Sequence, residues 1–332
     1  MRCTVHHLMS RIAHSVYFLK DDQCGQLLEI VRRATEFCGL KLLGWCIMTN
    51  HFHLLVYLPE IEALDESEVV RRYSILKGRA AGEQLKQKLA GLRAQGPAGN
   101  ESADQLLGKL KRRMYDVGEY MKIIKQWFSE WYNCNSGHAG TLWSATYKDK
   151  LVRNSGEDVS RTLAYINLNP VRAMITTDFD GYEWSSFTAC TRGDALAESG
   201  LRFVYGDGAT RDELMQVHRE KMEAALGDVR EEVAISVVRR RAAGVQVVGN
   251  SLTDEALVAQ MQAKMKLIEQ RVVKLNAELS TVVNQRARRR LLEQVVQLER
   301  QLHPEQTRTA LARKYKCNQS TISRLFKLHN KV

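Results

Sequence analysis

The sequence lacks any apolar run that approaches the ~20 consecutive residues needed to span a membrane. Its amino terminus also lacks the uninterrupted apolar core of a signal peptide. We therefore expect a cytoplasmic protein without a membrane partner. Its 332 residues are enough for two or three domains, and a hydrophobic content of 44% is ordinary for a soluble globular protein.

Closely spaced cysteine pairs are also lacking. The chain has seven cysteines and no Cys-x-x-Cys motif, so the sequence predicts neither a zinc ribbon nor a disulfide framework. We expect these residues to be reduced, partly buried thiols. They are Cys3, Cys24, Cys38, Cys46, Cys134, Cys190 and Cys317.

Positive charge is concentrated near the carboxyl end. From residue 251 onward the sequence has 16 Lys and Arg against 7 Asp and Glu, so this segment carries +9 of the net charge of +11. An acidic partner should therefore bind this carboxyl-terminal segment. A phosphate backbone has the required charge, and its binding would weaken as the salt concentration rises.

Two histidines, His51 and His53, precede an apolar stretch that ends at Pro59. Residues 54–58 are apolar, β-branched or aromatic, which predicts a buried strand. Because side chains alternate along a strand, His51 and His53 should share one face while Phe52 points into the core. Such a pair suits a divalent cation or a phosphate oxygen. On the spacing alone, two solvated histidines at a polar strand end explain the pattern equally well.

A second stretch supplies a phenol and an amide. Ser155 or Asp158 can begin a helix whose continuation is restricted at Pro170. Tyr165 and Asn169 are four residues apart, so they should lie on one face of that helix. The alternative is that Tyr165 is half-buried packing and that Asn169 is part of a stop signal.

The first 60 residues predict a β-α-β-β order, which is what a ferredoxin-like antiparallel sheet requires. The predicted class is therefore α+β. Three further histidines, His6, His7 and His14, are expected at the surface or in loops, and we assign them no role. The predicted elements are strands within residues 2–19, a helix from Asp21 to Gly39, and strands over residues 40–48 and 53–58.

A later stretch, Thr146 to Val152, alternates as another strand with Lys148 and Lys150 on one face. These two lysines either hold phosphates beside the proposed site or keep an exposed strand edge soluble. The sequence gives both explanations equal weight.

Four motifs follow one another along the chain. They are Met48-Thr49-Asn50-His51-Phe52-His53, then Leu142-Trp143, then Tyr165-Ile166 with Asn169-Pro170-Val171, and last Tyr182 with Trp184-Ser185-Ser186-Phe187. In this order they resemble the single-tyrosine HUH transposases and, within that family, the REP-associated tyrosine transposases. The likeness covers roughly residues 1–60 and 119–225.

The resemblance implies an HUH core that cuts and rejoins single-stranded DNA at hairpins or palindromic repeats. His51 and His53 match the family's metal histidines, and Asn169 matches the amide position, with Mg²⁺ or Mn²⁺ as the cation. Tyr165 matches the nucleophile, which forms a covalent 5′-phosphotyrosine and leaves a free 3′-hydroxyl.

The resemblance leaves two other functions open. One is an inactive, transposase-derived regulator that only binds DNA, and the other is a metal-dependent nuclease that processes RNA. If Tyr165 is not the nucleophile, Tyr147 and Tyr132 are the next candidates. For an active core, we expect Lys148, Lys150 and Arg172 to contact the DNA.

The rest of the chain divides by composition. The core, residues 1–187, contains a helical insertion at 61–118. Residues 188–250 predict a helical extension and linker, and residues 251–303 predict amphipathic helices with nearly heptad spacing. Such a stripe fits packing within one chain or, less often, a coiled coil that would form a homodimer.

Residues 304–332 have the outline of a helix-turn-helix that binds duplex DNA. Lys316 stands where a glycine often makes the turn, and a basic helical hairpin is the alternative. The residues expected to begin the recognition helix are Gln319, Ser320, Thr321, Ser323 and Arg324.

Overall fold

The chain forms two compact units, residues 1–230 and 231–332. The computed structural model describes residues 3–13, 19–137, 140–173, 175–176, 179–242, 255–281, 285–302 and 307–315. In those ranges, no helix is both long enough and apolar enough to cross a membrane. The finer division of the two units into domains stays a prediction.

The first unit is built on a four-stranded antiparallel sheet. Its strands are β1 (Thr4–Arg11), β2 (Lys41–Ile47), β3 (His51–Leu58) and β4 (Lys148–Val152). Their order across the sheet is β2-β3-β1-β4, and each neighbouring pair is antiparallel. Together with the helices packed on this sheet, the arrangement confirms the predicted α+β class.

Helices make up most of the remaining described chain in this unit. Gly39 ends the first of them in the left-handed conformation, with φ of 66°, as predicted. The segment predicted as a helical insertion is helical over most of its length. The helices are α1 (Asp21–Cys38), α2 (Glu66–Lys77), α3 (Arg79–Arg93), α4 (Pro97–Lys111), α5 (Val117–Ser136), α6 (Gly156–Asn167), α7 (Asn169–Arg172), α8 (Ser186–Thr191), α9 (Ala195–Tyr205) and α10 (Arg211–Ala242), which continues beyond residue 230.

The two faces of the sheet have different environments. Phe52 on β3 is fully buried, and its ring contacts Trp143, which in turn contacts Phe128 of α5. Because neighbouring residues on a strand point to opposite faces, His51 and His53 lie on the other face, where α6 packs. The predicted division between a core phenylalanine and two histidines on one face is confirmed.

Helix α6 is fixed on the sheet at its start and along its buried side. The Ser155 hydroxyl accepts a hydrogen bond from the main-chain N–H of Asp158, which caps the helix as predicted. Val159 and Leu163 are buried beneath it. The helix can approach β2 closely because residue 44 is a glycine, where a Cβ would overlap the Leu163 side chain.

Most of the described residues of the second unit are helical. Its helices are α11 (Glu255–Thr281), α12 (Gln285–Leu302) and α13 (Arg308–Lys314). Helix α11 packs against α12, and part of the heptad-like stripe is buried, at Val272, Leu275 and Leu279. This part of the stripe therefore serves packing within the chain. The predicted recognition residues Gln319, Ser320, Thr321, Ser323 and Arg324 lie outside the described residues.

Candidate functional site

Three imidazoles meet on the α6 side of the sheet. His51 and His53 come from β3, and their ring centroids are 5.0 Å apart. His7 comes from β1 and lies diagonally across from His53, whose direct partner is Met9. The ring centroids of His7 and His53 are 5.2 Å apart. The expectation that His7 is a surface or loop residue is wrong, because β1 is a central strand and His7 faces the packed side.

Asn50 determines which nitrogen of His51 carries the proton. Asn50 Oδ1 accepts a hydrogen bond from the Arg11 guanidinium at 3.4 Å, and arginine can only donate. The Nδ1 atom of His51 lies 2.7 Å from the same oxygen, so Nδ1 is the donor. The Nε2 atom of His51 then carries the lone pair with which an imidazole binds a cation.

His53 is hydrogen-bonded through one ring nitrogen. Its Nδ1 lies 2.9 Å from Nε2 of His7. Its Nε2 is buried and has no hydrogen-bond partner among the described residues. When Nδ1 carries the proton, Nε2 presents a lone pair to the site. A buried polar atom left unpaired costs roughly 1–3 kcal/mol, so this nitrogen is suited to a ligand.

All three imidazoles are neutral at pH 7. Burial, with a smaller effect from Lys150, lowers the pKa of His7 to about 4. Burial and the charge of Arg11 lower the pKa of His51 to about 4. Burial and then the neighbouring His51 lower the pKa of His53 to about 2. Neutral imidazole is the form that binds a metal ion, so the cluster can accept one without losing protons.

Tyr165 lies over this cluster on α6. Its ring centroid is 5.9 Å from that of His7 and 6.4 Å from that of His53, with both pairs edge to face. The residue is 40% exposed, so a substrate can reach the phenol. The guanidinium carbon of Arg172 lies 4.6 Å from the centroid of the Tyr165 ring.

Asn169 lies just beyond the end of α6, which stops at Asn167. Its Nδ2 donates hydrogen bonds of 3.0 and 3.1 Å to the main-chain oxygens of Tyr165 and Ile166. Asn169 is 7% exposed. Tyr165 and Asn169 therefore do not extend from one continuous helix, and the amide nitrogen turns back onto the helix end. Binding of a cation by Asn169 stays a prediction.

Lys148 and Lys150 share the face of the sheet that carries the histidines. Lys150 pairs with His7 across β1 and β4, and Lys148 pairs with Met9. Directly paired residues point to the same side of a sheet, and both lysines are exposed. With Arg172, they place positive charge beside the imidazoles and the phenol.

The residues present fit a cation that uses few protein ligands. In the described part of the chain, no group of three His, Cys, Asp or Glu side chains is spaced to hold a metal ion. His51 and His53 would each offer Nε2, and solvent or substrate oxygens would complete the coordination. Mg²⁺ commonly keeps several waters in this way, and Mn²⁺ accepts imidazole readily.

The two alternative tyrosines lie away from the cluster. The Tyr147 hydroxyl is near Gly118 at the beginning of α5, 3.8 Å from where a Cβ of that glycine would be. Burial raises the pKa of Tyr147, which weakens it as a nucleophile. Tyr132 is 6% exposed and packs against Phe128 of α5. Of the three candidates, the structure brings Tyr165 to the histidines.

Comparisons with known proteins add little to this geometry. No family model matches the chain, and no curated protein matches it. Among solved structures, the chain is similar to a REP-associated tyrosine transposase bound to a REP hairpin, with 14% sequence identity and a TM-score of 0.36. The match covers 57% of this chain and 79% of that one. Function is therefore inferred from the site itself.

Proposed function

We propose that the protein is a metal-dependent endonuclease and strand transferase for single-stranded DNA, a transposase of the single-tyrosine HUH type. Tyr165 is the nucleophile. The observation that carries the proposal is the approach of an exposed phenol to neutral imidazoles that are buried or partly buried: the ring centroid of Tyr165 is 5.9 Å from that of His7 and 6.4 Å from that of His53. An exposed phenol beside such a cluster is placed to act as a nucleophile toward a phosphodiester.

The strand topology supports a ferredoxin-like core for this activity. The chain order is β1, α1, β2, β3, then helices up to α5, then β4. With β1 and β3 at the centre of the sheet and β2 and β4 at its edges, this order agrees with the proposed β-α-β-β-α-β arrangement. The inserted helices α2 to α4 precede α5.

In the proposed reaction, the Tyr165 hydroxyl attacks the phosphorus of a phosphodiester. A bond forms between the phenolic oxygen and phosphorus as the bond to the 3′ oxygen breaks. The phenol releases its proton to water, and the leaving 3′ oxygen takes up a proton. The product is a 5′-phosphotyrosine with a free 3′-hydroxyl, so the strand can be rejoined by the reverse reaction without ATP.

The side chains around the phenol have separate tasks. His51 and His53 hold the cation, and Asn169 is the proposed third protein ligand. A bound Mg²⁺ or Mn²⁺ would polarise the scissile phosphate and stabilise the charge that develops on it. Lys148, Lys150 and Arg172 attract the phosphates on either side.

The proposed substrate is unpaired DNA next to a hairpin or palindromic repeat. A single strand can enter a surface cleft, where base stacking and backbone charge contribute roughly 1–3 kcal/mol per base. The basic carboxyl-terminal residues 304–332 would bind duplex DNA separately. Pairing of two subunits through the second unit stays a prediction.

The test is the formation of a covalent protein–DNA adduct. Wild-type protein, Tyr165→Phe and the matched control Tyr147→Phe are incubated with Mn²⁺ and labelled hairpin DNA carrying single-stranded flanks, then separated under denaturing conditions. We expect wild type and Tyr147→Phe to retain label and Tyr165→Phe to lose it. No adduct from any variant, with DNA binding intact, would support the regulator instead. Cleavage of RNA without an adduct would support the RNA-processing nuclease.

A further inference from the structure

His7 is the member of the histidine cluster to which the proposed reaction gives no task. It is not part of the His51-Phe52-His53 motif and lies 44 residues before it, on a different strand. Nevertheless its Nε2 makes a 2.9 Å hydrogen bond to His53, and its ring contacts both His53 and Tyr165. Its position therefore requires a separate explanation.

The hydrogen bond between the two rings determines what His53 offers to a ligand. One proton lies between His7 Nε2 and His53 Nδ1. If His53 donates it, His53 Nε2 is left with a lone pair, and this is the buried atom without a partner among the described residues. If His7 donates it, His53 Nε2 carries a proton and a buried donor is left unpaired. A cation bound at Nε2 requires this lone pair, so it favours the arrangement in which His53 donates the proton.

The same arrangement exists at His51. There the Nδ1 proton is donated to Asn50 Oδ1, so that Nε2 is the free nitrogen. Histidine ligands of metal ions usually donate their second ring N–H to a neighbouring acceptor, which fixes the orientation of the ring and increases its basicity. Asn50 has this role for His51, and His7 has the equivalent position for His53.

The sheet holds His7 in a fixed position. Strand β1 is hydrogen-bonded to β3 on one side and to β4 on the other, and His7 pairs with Leu55 and with Lys150. The main chain at His7 is therefore fixed from both sides. Its ring also makes an edge-to-face contact with Tyr165, at a centroid distance of 5.9 Å, so one side chain contacts both the proposed ligand and the proposed nucleophile.

We infer that His7 is a positioning residue: its Nε2 accepts a hydrogen bond from the Nδ1–H of His53 and so fixes the ring with Nε2 directed at the cation. This inference rests on the proposed function, because it requires His51 and His53 to bind a metal ion. The role of His7 can be tested separately, because metal binding is measured without DNA cleavage.

The experiment is a titration of the full-length protein with Mn²⁺, followed by electron paramagnetic resonance of the free ion. His7→Phe keeps a ring but has no acceptor. His7→Gln can place an oxygen near the position of Nε2, and His7→Asn places one near Nδ1 instead. The matched control is His6→Leu, because His6 is the neighbouring residue on the opposite face of β1 and bonds Asp149 there.

We expect His7→Phe and His7→Asn to weaken Mn²⁺ binding about 10- to 100-fold. His7→Gln should stay within a few-fold of wild type, and His6→Leu should not differ from it. If His7→Phe fails to fold, the comparison of His7→Gln with His7→Asn tests the inference. Wild-type affinity in both His7→Phe and His7→Asn would overturn the role of His7, while loss of binding in His51→Ala and His53→Ala would leave the proposed function standing. If wild-type protein binds no Mn²⁺, both the inference and the metal-dependent function fail.

Discussion

Asn167 and His218 form a fully buried hydrogen bond, with 3.0 Å between Nδ2 of the asparagine and Nε2 of the histidine. Asn167 Oδ1 accepts a hydrogen bond from Ser186, so its nitrogen is the donor. His218 Nδ1 then donates to the Tyr205 hydroxyl at 2.7 Å. This chain of bonds joins α6, α8, α9 and α10. It meets α6 at Asn167, two residues after Tyr165. It therefore fixes the end of the helix that carries the phenol.

His218 should make the protein sensitive to acid. Burial lowers its pKa to about 3 in the folded state, against about 6.5 when unfolded. The unfolded chain therefore binds a proton first, and the stability contributed by neutral His218 is complete above pH 6.5 and lost as the pH falls toward 3. The loss is at most about 1.4 kcal/mol per pH unit. The free energy of unfolding in urea, measured at pH 7 and pH 5, gives this slope.

His218→Gln is the variant for that measurement. Its side-chain oxygen can still accept from Asn167, but the group no longer titrates. We expect a smaller loss of stability between pH 7 and pH 5 than in wild type, although not zero, because the pKa values of His7, His51 and His53 are lowered in the same direction. An unchanged slope would mean that His218 does not contribute.

Gly44 should not tolerate a side chain. A Cβ at this residue of β2 would overlap Leu163 of α6, and overpacking of this kind costs about 1–3 kcal/mol. We expect Gly44→Ala to lower the melting temperature and to reduce adduct formation, because α6 must move with Tyr165. Gly91→Ala is the control, since a Cβ at Gly91 on α3 meets no atom within 4 Å. That variant should be as stable as wild type or more so.

Much of the first unit could be predicted from local patterns. The alternation around Phe52 placed His51 and His53 on one face, and Ser155 marked the start of α6. These features depend on residues close in sequence, so they can be recognised from the sequence alone. The capping glycine at residue 39 was recognisable for the same reason.

The features of the site that the sequence did not predict depend on contacts between residues far apart in the chain. Alternation along β1 puts His7 and Arg11 on one face, but only the register between β1 and β3 brings them to the histidine pair. Asn50 lies between two predicted strands, and its hydrogen bond to His51 depends on the geometry of the turn between them. Spacing alone also did not predict the one-residue break at Leu168, which ends α6 before Asn169, or the hydrogen bond from the Asn169 amide to the main-chain oxygen of Tyr165.

Arg172 should contribute to DNA binding through its charge. Its guanidinium lies over the Tyr165 ring, where a phosphate approaching the phenol would meet it. We expect Arg172→Gln to weaken binding of single-stranded DNA and to reduce the slope of log K against log salt by about 1. The control is Arg71→Gln, the same change of charge on α2, which packs against α1 away from the histidines. Equal salt slopes for the two variants would contradict the prediction.

Asn169 should support the end of α6 whether or not it also binds a cation. Its Nδ2 donates to the main-chain oxygens of Tyr165 and Ile166. Asn169→Asp keeps an oxygen but loses both donated bonds and brings a negative charge toward two carbonyl oxygens. We expect the free energy of unfolding to fall by about 1–3 kcal/mol, measured in urea at pH 7. Asn154→Asp, at an exposed position, is the control for the change in charge and should be within about 0.5 kcal/mol of wild type. If Asn169→Asp is as stable as Asn154→Asp, the helix end does not depend on the amide.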